Sequence, residues 1–489
     1  MENLGWKLGD WRAEYRTGLR KLSAEEEELV ASVAARIRER TGKGGGGGEE
    51  VHGDGREAGG SGGLELAKGF LLRECEEQGI SIDGEQQEYL CRAIYLQTFG
   101  NGFLQPLLLD TELEEIAVVG IGQPVFVFAR GRGWEKTDVA VTSADYFVAL
   151  VNRLGRGLGR RLTSQQPRMN AVLEDGSRLH ASMPPISPCE LTIRKFSEQP
   201  LSPFDLLSLG TYDAKMLSLL SLCMQADLPV LVAGNTASGK TTTLNALLCF
   251  VPESERLLLI EETPELRLPH QHQVRLLPFE ESGIGMAELV RDSLRMRPDR
   301  VVVGEVRTPP EVRAFVESAL SGQAKGCYAT FHAQSSRDAL LRMRAMGCLE
   351  ADLEGIGVFI VQRRVSVYSA RKRRLAEERK VTEIAVANPA DVMRPIAAYD
   401  GRKHSQAGMR MLLEKIAQGT GMGARELAGE MKARERFFGA ASKGRGFEGA
   451  FAEIQGRLFG GRHGTGSRNG AGGDMQCGQA GKQGGRRKR

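Results

Sequence analysis

Apolar and polar positions along the chain fall into distinct regimes. Between residues 207 and 385, short continuous apolar runs alternate with amphipathic stretches. The runs predict strands at 230–233, 257–260, 301–303, 327–330 and 358–361, with helices at 241–248, 286–296 and 311–320. Strands apolar on both faces and separated by helices predict an α/β layer architecture. Two further strands, 365–370 and 381–386, flank the charged turn Arg371-Lys372-Arg373-Arg374. From 64 to about 200 the pattern is mixed. Helices are predicted at 64–78, 85–98 and 145–154, and strands at 116–119, 125–129, 171–174, 179–181 and 191–194. This reads as an α+β domain. Pro200 and Pro203 mark a seam, 205–226 predicts one or two helices, and 410–440 is helical and charged. Residues 22–38 carry apolar positions at helical spacing within a Glu-rich run.

Composition adds two attachments. Of 61 glycines, 12 fall in residues 42–63 and 15 in residues 444–489. Such stretches offer no side chains to bury and lose much backbone entropy on ordering. The expected division is therefore a charged helical extension (1–41), a flexible linker (42–63), the α+β domain (64–203), the α/β domain (204–440) and a Gly/Arg-rich tail (441–489). Within the tail, 447–459 is the candidate ordered piece.

Charge is nearly balanced, with 66 Lys+Arg against 62 Asp+Glu. A nucleic-acid domain usually carries a larger or more clustered excess, so direct nucleic-acid binding is not expected. The clear basic cluster is Arg486-Arg487-Lys488-Arg489, a solvated tail or a contact for anionic lipid. Apolar runs are strand-length, well short of a bilayer span, and the N-terminus has no signal-peptide core. Eight scattered cysteines fit reduced thiols in a cytoplasmic protein.

The strongest chemical signal is Gly234-Asn235-Thr236-Ala237-Ser238-Gly239-Lys240-Thr241, followed by Thr242. It follows an apolar strand and opens a helix, the context a phosphate-binding loop requires. In that arrangement loop amides meet phosphate oxygens, Lys240 reaches the β/γ-phosphates, and Thr241 gives a hydroxyl to Mg²⁺. Hydrolysis needs an acid at the end of a neighbouring strand. Glu305, after 301–303, and Glu262, after 257–260, are the candidates for metal-water ordering and water activation. Glu261 and Glu265 lie beside them, and surface strand caps are the alternative reading. Gly304 stands where an Asp is commoner. His332, after the 327–330 strand, suits contact with a γ-phosphate, and a structural histidine fits equally well. His270 and His272 lack an evident third ligand for a metal site. Arg160, Arg161, Arg178 and Arg194 lie outside the loop domain. Arg178 and Arg194 are the better placed to close on phosphate, although such arginines more often form surface ion pairs.

Together these blocks resemble the type II/IV secretion-system ATPases, which power pilus assembly, archaeal flagellum-like filaments and export. Residues 234–242 look like the family's Walker A. Arg256 to Leu266 looks like its acidic box, with Glu262 where many relatives carry Asp. Leu294 to Arg307 is similar to its unusual Walker B, in which Gly replaces Asp. Ser321 to Ala333 looks like its histidine box, with Gln323 where bacterial members often have His. Glu114-Glu115-Ile116, Asp175-Gly176-Ser177-Arg178 and the segment from Leu191 to Phe196 agree with its N-terminal domain.

The resemblance spans about 64–440, and the wording from Ser321 to Ala333 is similar to archaeal pilus-type members. It implies a RecA-like P-loop domain behind an α+β domain, a homohexamer, and ATP with Mg²⁺ in the cleft between the domains. Thr241 and Glu305 would serve the metal. Glu305 and Glu262 would serve the water, and Arg178 and Arg194 the phosphate, from the same or a neighbouring subunit. His332 would sense the γ-phosphate. The partner would be a polytopic platform protein at the inner membrane face. A nucleic-acid translocase and a non-hydrolysing nucleotide-gated scaffold are the alternatives.

Overall fold

The computed structural model describes residues 4–9, 11–42, 61–155, 161–196, 200–279, 282–369, 374–401, 403–440 and 445–460. The chain opens with β1 (Trp6–Leu8), α1 (Ala24–Gly42), α2 (Ser61–Gln78), α3 (Gly84–Thr98) and α4 (Leu104–Leu109). Next come β2 (Leu113–Val118), β3 (Pro124–Ala129), β4 (Gly133–Val141), α5 (Ala144–Leu154), β5 (Arg168–Val172), β6 (Arg178–Ser182) and β7 (Glu190–Arg194). The seven strands form one antiparallel sheet in the order β1-β4-β3-β2-β7-β6-β5. Val125, Val127 and Ala129 of β3 alternate into a core closed by Phe103, Leu104 and Leu107 around α4 and by Phe147, Leu150 and Val151 of α5. One-sided burial of this kind gives antiparallel strands their alternation.

The described residues of the 1–41 extension are not an appendage. β1 pairs with β4, and Leu29, Val30, Val33 and Ile37 of α1 bury against Ala67 and Leu71 of α2 and Leu90 and Ile94 of α3. The helical stripe read at 22–38 is apolar because α2 and α3 cover it. Residues 43–60 of the expected linker lie outside the described residues, while α2 already begins at Ser61.

The second sheet belongs to the α/β domain. Its first elements are α6 (Pro203–Ser208), α7 (Ala214–Gln225), β8 (Val230–Gly234), α8 (Lys240–Leu247), β9 (Leu257–Ile260) and β10 (Gln273–Leu276). α9 (Met286–Ser293), β11 (Arg300–Val306), α10 (Pro309–Leu320), β12 (Gly326–His332), α11 (Ser336–Ala345) and α12 (Glu350–Leu353) follow. The domain ends with β13 (Val358–Ser369), β14 (Arg374–Val386), β15 (Ile396–Tyr399), α13 (Gln406–Thr420), α14 (Ala424–Ala440) and α15 (Gly446–Phe459).

The strand order is β10-β9-β11-β12-β8-β13-β14-β15, parallel from β10 to β13 and antiparallel beyond. The sheet is buried on both faces. Val230, Val232, Val302, Val358 and Ile360 face one core, and Leu231, Ala233, Val301, Val303, Phe359 and Val361 face the other. β8, which carries the glycine loop, lies between β12 and β13, so its C-terminal end opens at the centre of the sheet.

Two strands expected separately, at 358–361 and 365–370, are one. β13 continues past the parallel sheet into a long hairpin with β14, where polar residues such as Arg363 and Arg364 are tolerated. The expected tail also divides. Phe447, Phe451 and Ile454 of α15 are buried in the core, and Gln455 donates to the carbonyls of Cys249 (2.9 Å) and Val251 (2.8 Å). Residues 461–489, with the basic cluster at 486–489, lie outside the described residues.

Candidate nucleotide site

The glycine loop leaves β8 at Gly234, whose neighbours in register are His332 on β12 and Gln362 on β13. It turns through two left-handed residues, Ala237 (φ 58°) and Gly239 (φ 90°), before α8 starts at Lys240. Gly239 fits that conformation without cost, whereas Ala237 needs support from outside the loop. Asn235 accepts the Arg364 N–H at 3.1 Å through its side chain and the Lys240 ammonium at 3.4 Å through its carbonyl. Thr236 is exposed, and Thr241 and Thr242 are half-buried in the first turn of α8. Ser238 is buried, and its hydroxyl has no partner among the described residues. A buried orphan hydroxyl inside a loop of converging amides is chemistry suited to an anionic oxygen.

Lys240 is 7% exposed, and its Nζ lies 3.7 Å from Glu305 Oε1. Burial lowers its pKa from the usual lysine value, aided by Arg307 and opposed by Glu305. Glu305 is aimed by an irregularity in β11. Register with β12 shifts between Val303 and Val306, and Thr330 Oγ1 donates to the Gly304 carbonyl at 2.6 Å. Such a bulge re-aims one side chain out of the pleat. Glu305 Oε1 stands 2.8 Å from His332 Nε2, and Oε2 accepts from Arg307 Nε at 2.6 Å. The other end of the Arg307 guanidinium bonds Glu262. Glu262, Arg307, Glu305, Lys240 and His332 thus form one charged chain at the mouth of the loop.

Burial lowers the His332 pKa, with Lys240, Arg307 and Arg342 adding to the effect against Glu305. The imidazole is therefore neutral at neutral pH, with an Nε2–H to give to Glu305.

The Gly304 position has a packing reason. A Cβ there would stand 3.2 Å from Glu261 Cγ. Glu261 is a buried anchor. Its Oε1 accepts the N–H groups of Glu265 and Leu266, each at 2.8 Å, and its Oε2 lies 3.0 Å from Arg275 Nε. Those bonds shape the loop that follows β9.

The two arginines diverge. Arg178 crosses to the α/β domain but pairs with Glu265, at 2.6 Å, in that acidic loop. Arg194, its neighbour across the β6–β7 ladder, points to Glu115 at 3.8 Å and is mostly exposed. The structure does not bring Arg194 to the glycine loop. Arg160 lies outside the described residues, and Arg161 is exposed. His270 is buried, 3.2 Å from the Val251 carbonyl and edge-on to Phe451, while His272 faces Arg256 at 3.3 Å.

Sequence reasoning passed over Arg307 and Arg379. Arg307 follows Glu305 by two positions, just past the end of β11, so its nearness to that acid was legible. Arg379, on β14, reaches the glycine loop only through the tertiary fold, and no local motif marks it.

A parallel sheet with a glycine loop at its central strand, a lysine entering the following helix and a glutamate on the next strand but one defines a RecA-like P-loop protein. The family model for type II/IV secretion system proteins matches residues 158–428, more than half of the chain, and this chain belongs to that family. An uncharacterised protein of Methanocaldococcus jannaschii is 37% identical over 231 residues, covering 45% of this chain and 32% of its own length. A putative conjugal transfer protein of Mycobacterium tuberculosis is 32% identical over 320 residues, covering 61% of this chain and 88% of its own. The type IV secretion system protein PtlH of Bordetella pertussis is 34% identical over 278 residues, covering 50% and 80%. The chain spans a third to a half of the length of two M. jannaschii relatives, 32% of one and 51% of the other.

Proposed function

We propose that this chain is an ATP-hydrolysing motor of a type II/IV secretion machine. It would work as a homohexamer at the cytoplasmic face of a membrane, on a polytopic platform protein. Its output is assembly of a type IV pilus-like or archaeal filament, or secretion. Among the described residues no helix is long and apolar enough to cross a membrane, so the platform would supply the membrane anchorage.

The observation that carries this reading is the pairing of the loop lysine with the strand glutamate. Lys240 Nζ lies 3.7 Å from Glu305 Oε1, and Glu305 is gripped on its other sides by His332 and Arg307. The residues fit ATP with Mg²⁺, given the orphan hydroxyl of Ser238 and the half-buried Thr241 at the start of α8. Thr241 and Glu305 would hold the metal, which supplies positive charge to the phosphate oxygens. Lys240, partly stripped of water, turns from Glu305 to the β/γ-phosphates and stabilises charge on the transferring group. Glu305, released from Lys240, accepts a proton from the attacking water, while the His332 Nε2–H fixes its orientation. Arg307 holds Glu262 beside Glu305, so two carboxylates address the same water. Arg178, paired with Glu265 at 2.6 Å, would have to leave that partner to close on phosphate.

Purified full-length protein should hydrolyse ATP, and Glu305→Gln should bind nucleotide without turnover. Affinity capture of Glu305→Gln from detergent-solubilised native membranes should recover a multispanning platform protein. Recovery of DNA with strong DNA stimulation of turnover would replace the secretion-motor reading with a nucleic-acid translocase. Full function with Glu305→Gln would replace it with a nucleotide-gated scaffold.

A further inference from the structure

The glycine loop is held from outside by a residue that also grips the N-terminal sheet. Arg379, on β14, donates through Nε to the Ala237 carbonyl at 3.0 Å. Its two remaining nitrogens go to Glu114 on β2, NH2 to Oε2 at 3.0 Å and NH1 to Oε1 at 3.4 Å. The planar fork of arginine makes these three bonds in one plane, which an ammonium cannot do. Glu114 is itself fixed within its sheet. Arg130 Nε lies 3.3 Å from its Oε1, and its main-chain carbonyl accepts from Lys195 N at 2.9 Å. Burial alone would raise the Glu114 pKa, but the Arg379 and Arg130 charges outweigh it and hold the carboxyl below its usual value.

The target of this grip matters. Ala237 carries a side chain in the left-handed region, so the loop alone does not favour its conformation. In a planar trans peptide the carbonyl and the next N–H point in opposite directions. Drawing the Ala237 carbonyl outward to Arg379 therefore directs the Ser238 N–H into the loop, where the Asn235 carbonyl accepts it at 3.3 Å. That amide is one of those a phosphate would meet. Two other contacts between the domains land elsewhere: Arg178 on Glu265, and Arg267 over the Phe196 ring at 5.0 Å, both after β9.

We propose that Arg379 is a positioning residue that couples the docking of the N-terminal sheet, through Glu114, to the shape of the phosphate-binding loop. Docking presets the Ser238 amide, and rotation of the N-terminal domain away from Arg379 relaxes it. Nucleotide affinity and domain position are then two readings of one linkage. The inference rests on the reading of the loop as a nucleotide site.

The decisive variant is Glu114→Gln, because Glu114 does not touch the loop. Binding of a fluorescent ADP analogue and steady-state ATP hydrolysis are measured on the full chain for wild type, Glu114→Gln, Glu114→Asp, Arg379→Lys and the double variant Glu114→Gln/Arg379→Lys. Coupling predicts that Glu114→Gln raises both Kd and KM by roughly fivefold or more with kcat little changed. Glu114→Asp should recover part of the loss, and the double variant should be no worse than the worse single one. Unchanged Kd in Glu114→Gln, or losses that multiply in the double variant, overturns the coupling. Thermal melting identifies any variant that has merely unfolded, and Glu114→Asp then carries the test. Absence of analogue binding by the folded wild type would overturn the nucleotide site itself and the coupling with it.

Discussion

The two ends of β11 carry charge clusters of similar composition and opposite character. At its start Arg300, 2% exposed, donates to Glu255 at 2.5 and 3.3 Å and to the Tyr328 hydroxyl at 2.9 Å. The Tyr328 hydroxyl in turn donates to the Met224 carbonyl at 3.2 Å, and Lys325 joins both Glu255 (3.0 Å) and Asp299 (3.2 Å). At its end Glu305 is shared among Lys240, His332 and Arg307, beside a buried hydroxyl without a partner. The first cluster is closed, with its guanidinium bonded on three nitrogens to groups of the same domain. The second stands at the mouth of the glycine loop, where the buried Ser238 hydroxyl has no partner among the described residues. Buried charge therefore does not mark a working site here. Under the proposed function, a donor left over after the internal pairs are made does.

This contrast predicts separable consequences. Lys240→Ala should reduce ATP hydrolysis by about 10³-fold, because a preorganised charge facing the transferring phosphoryl is lost. Its melting temperature should stay near that of wild type, since the open cluster does not hold the sheet together. Turnover and calorimetry on the same sample decide, and retained hydrolysis refutes the site. Arg300→Met should do the reverse. It leaves buried Glu255 with the half-exposed Lys325 as its remaining cation and should cost about 3 kcal/mol of stability in denaturant titration. The folded fraction should still bind nucleotide with wild-type affinity. Glu305→Gln should lower kcat by about 10²-fold while nucleotide Kd stays within a few-fold, a split read by comparing turnover with analogue binding.

The smallest effects should come from two histidines, one at each end of the sheet. Burial lowers the pKa of both below the usual value near 6.5. For His270 the unfolded chain binds a proton as pH falls through about 6.5 while the folded chain does not. Stability is therefore full above that pH and declines as pH drops toward the lower folded-state pKa. His270→Gln should flatten the decline in a series of thermal melts. For His332 protonation keeps the Nε2–H bond to Glu305 but makes it charge-assisted, which holds that carboxylate back from the attacking water, so its signature should be in the acid limb of the kcat profile. Interchanged signatures would erase the distinction between the two ends.

Much of the α/β sheet was legible because strands buried on both faces leave continuous apolar runs, as in 230–233 and 257–260. β4, with Gly133, Trp134, Glu135 and Lys136 at its start, was not, because an antiparallel strand with a wet face carries a diluted signal. The extension at 1–41 misled for a related reason. Its neighbours α2 and α3 are separated from α1 by a glycine-rich stretch, and no local pattern shows which face a helix will meet.

The sequence by itself determined the phosphate loop, the strand–helix context around it, and the identity of Lys240, Glu305 and His332. These depend on local spacing and on backbone freedom at a few positions. Tertiary structure alone decided that Glu261 occupies the space Gly304 leaves, that Arg178 meets the acidic loop while Arg194 stays on its own sheet, and that Arg379 joins Glu114 to Ala237. Each of those relations links residues far apart along the chain or on different strands. Strand pairing within one sheet makes the Glu261 and Arg194 relations, and docking of the two domains makes those of Arg178 and Arg379.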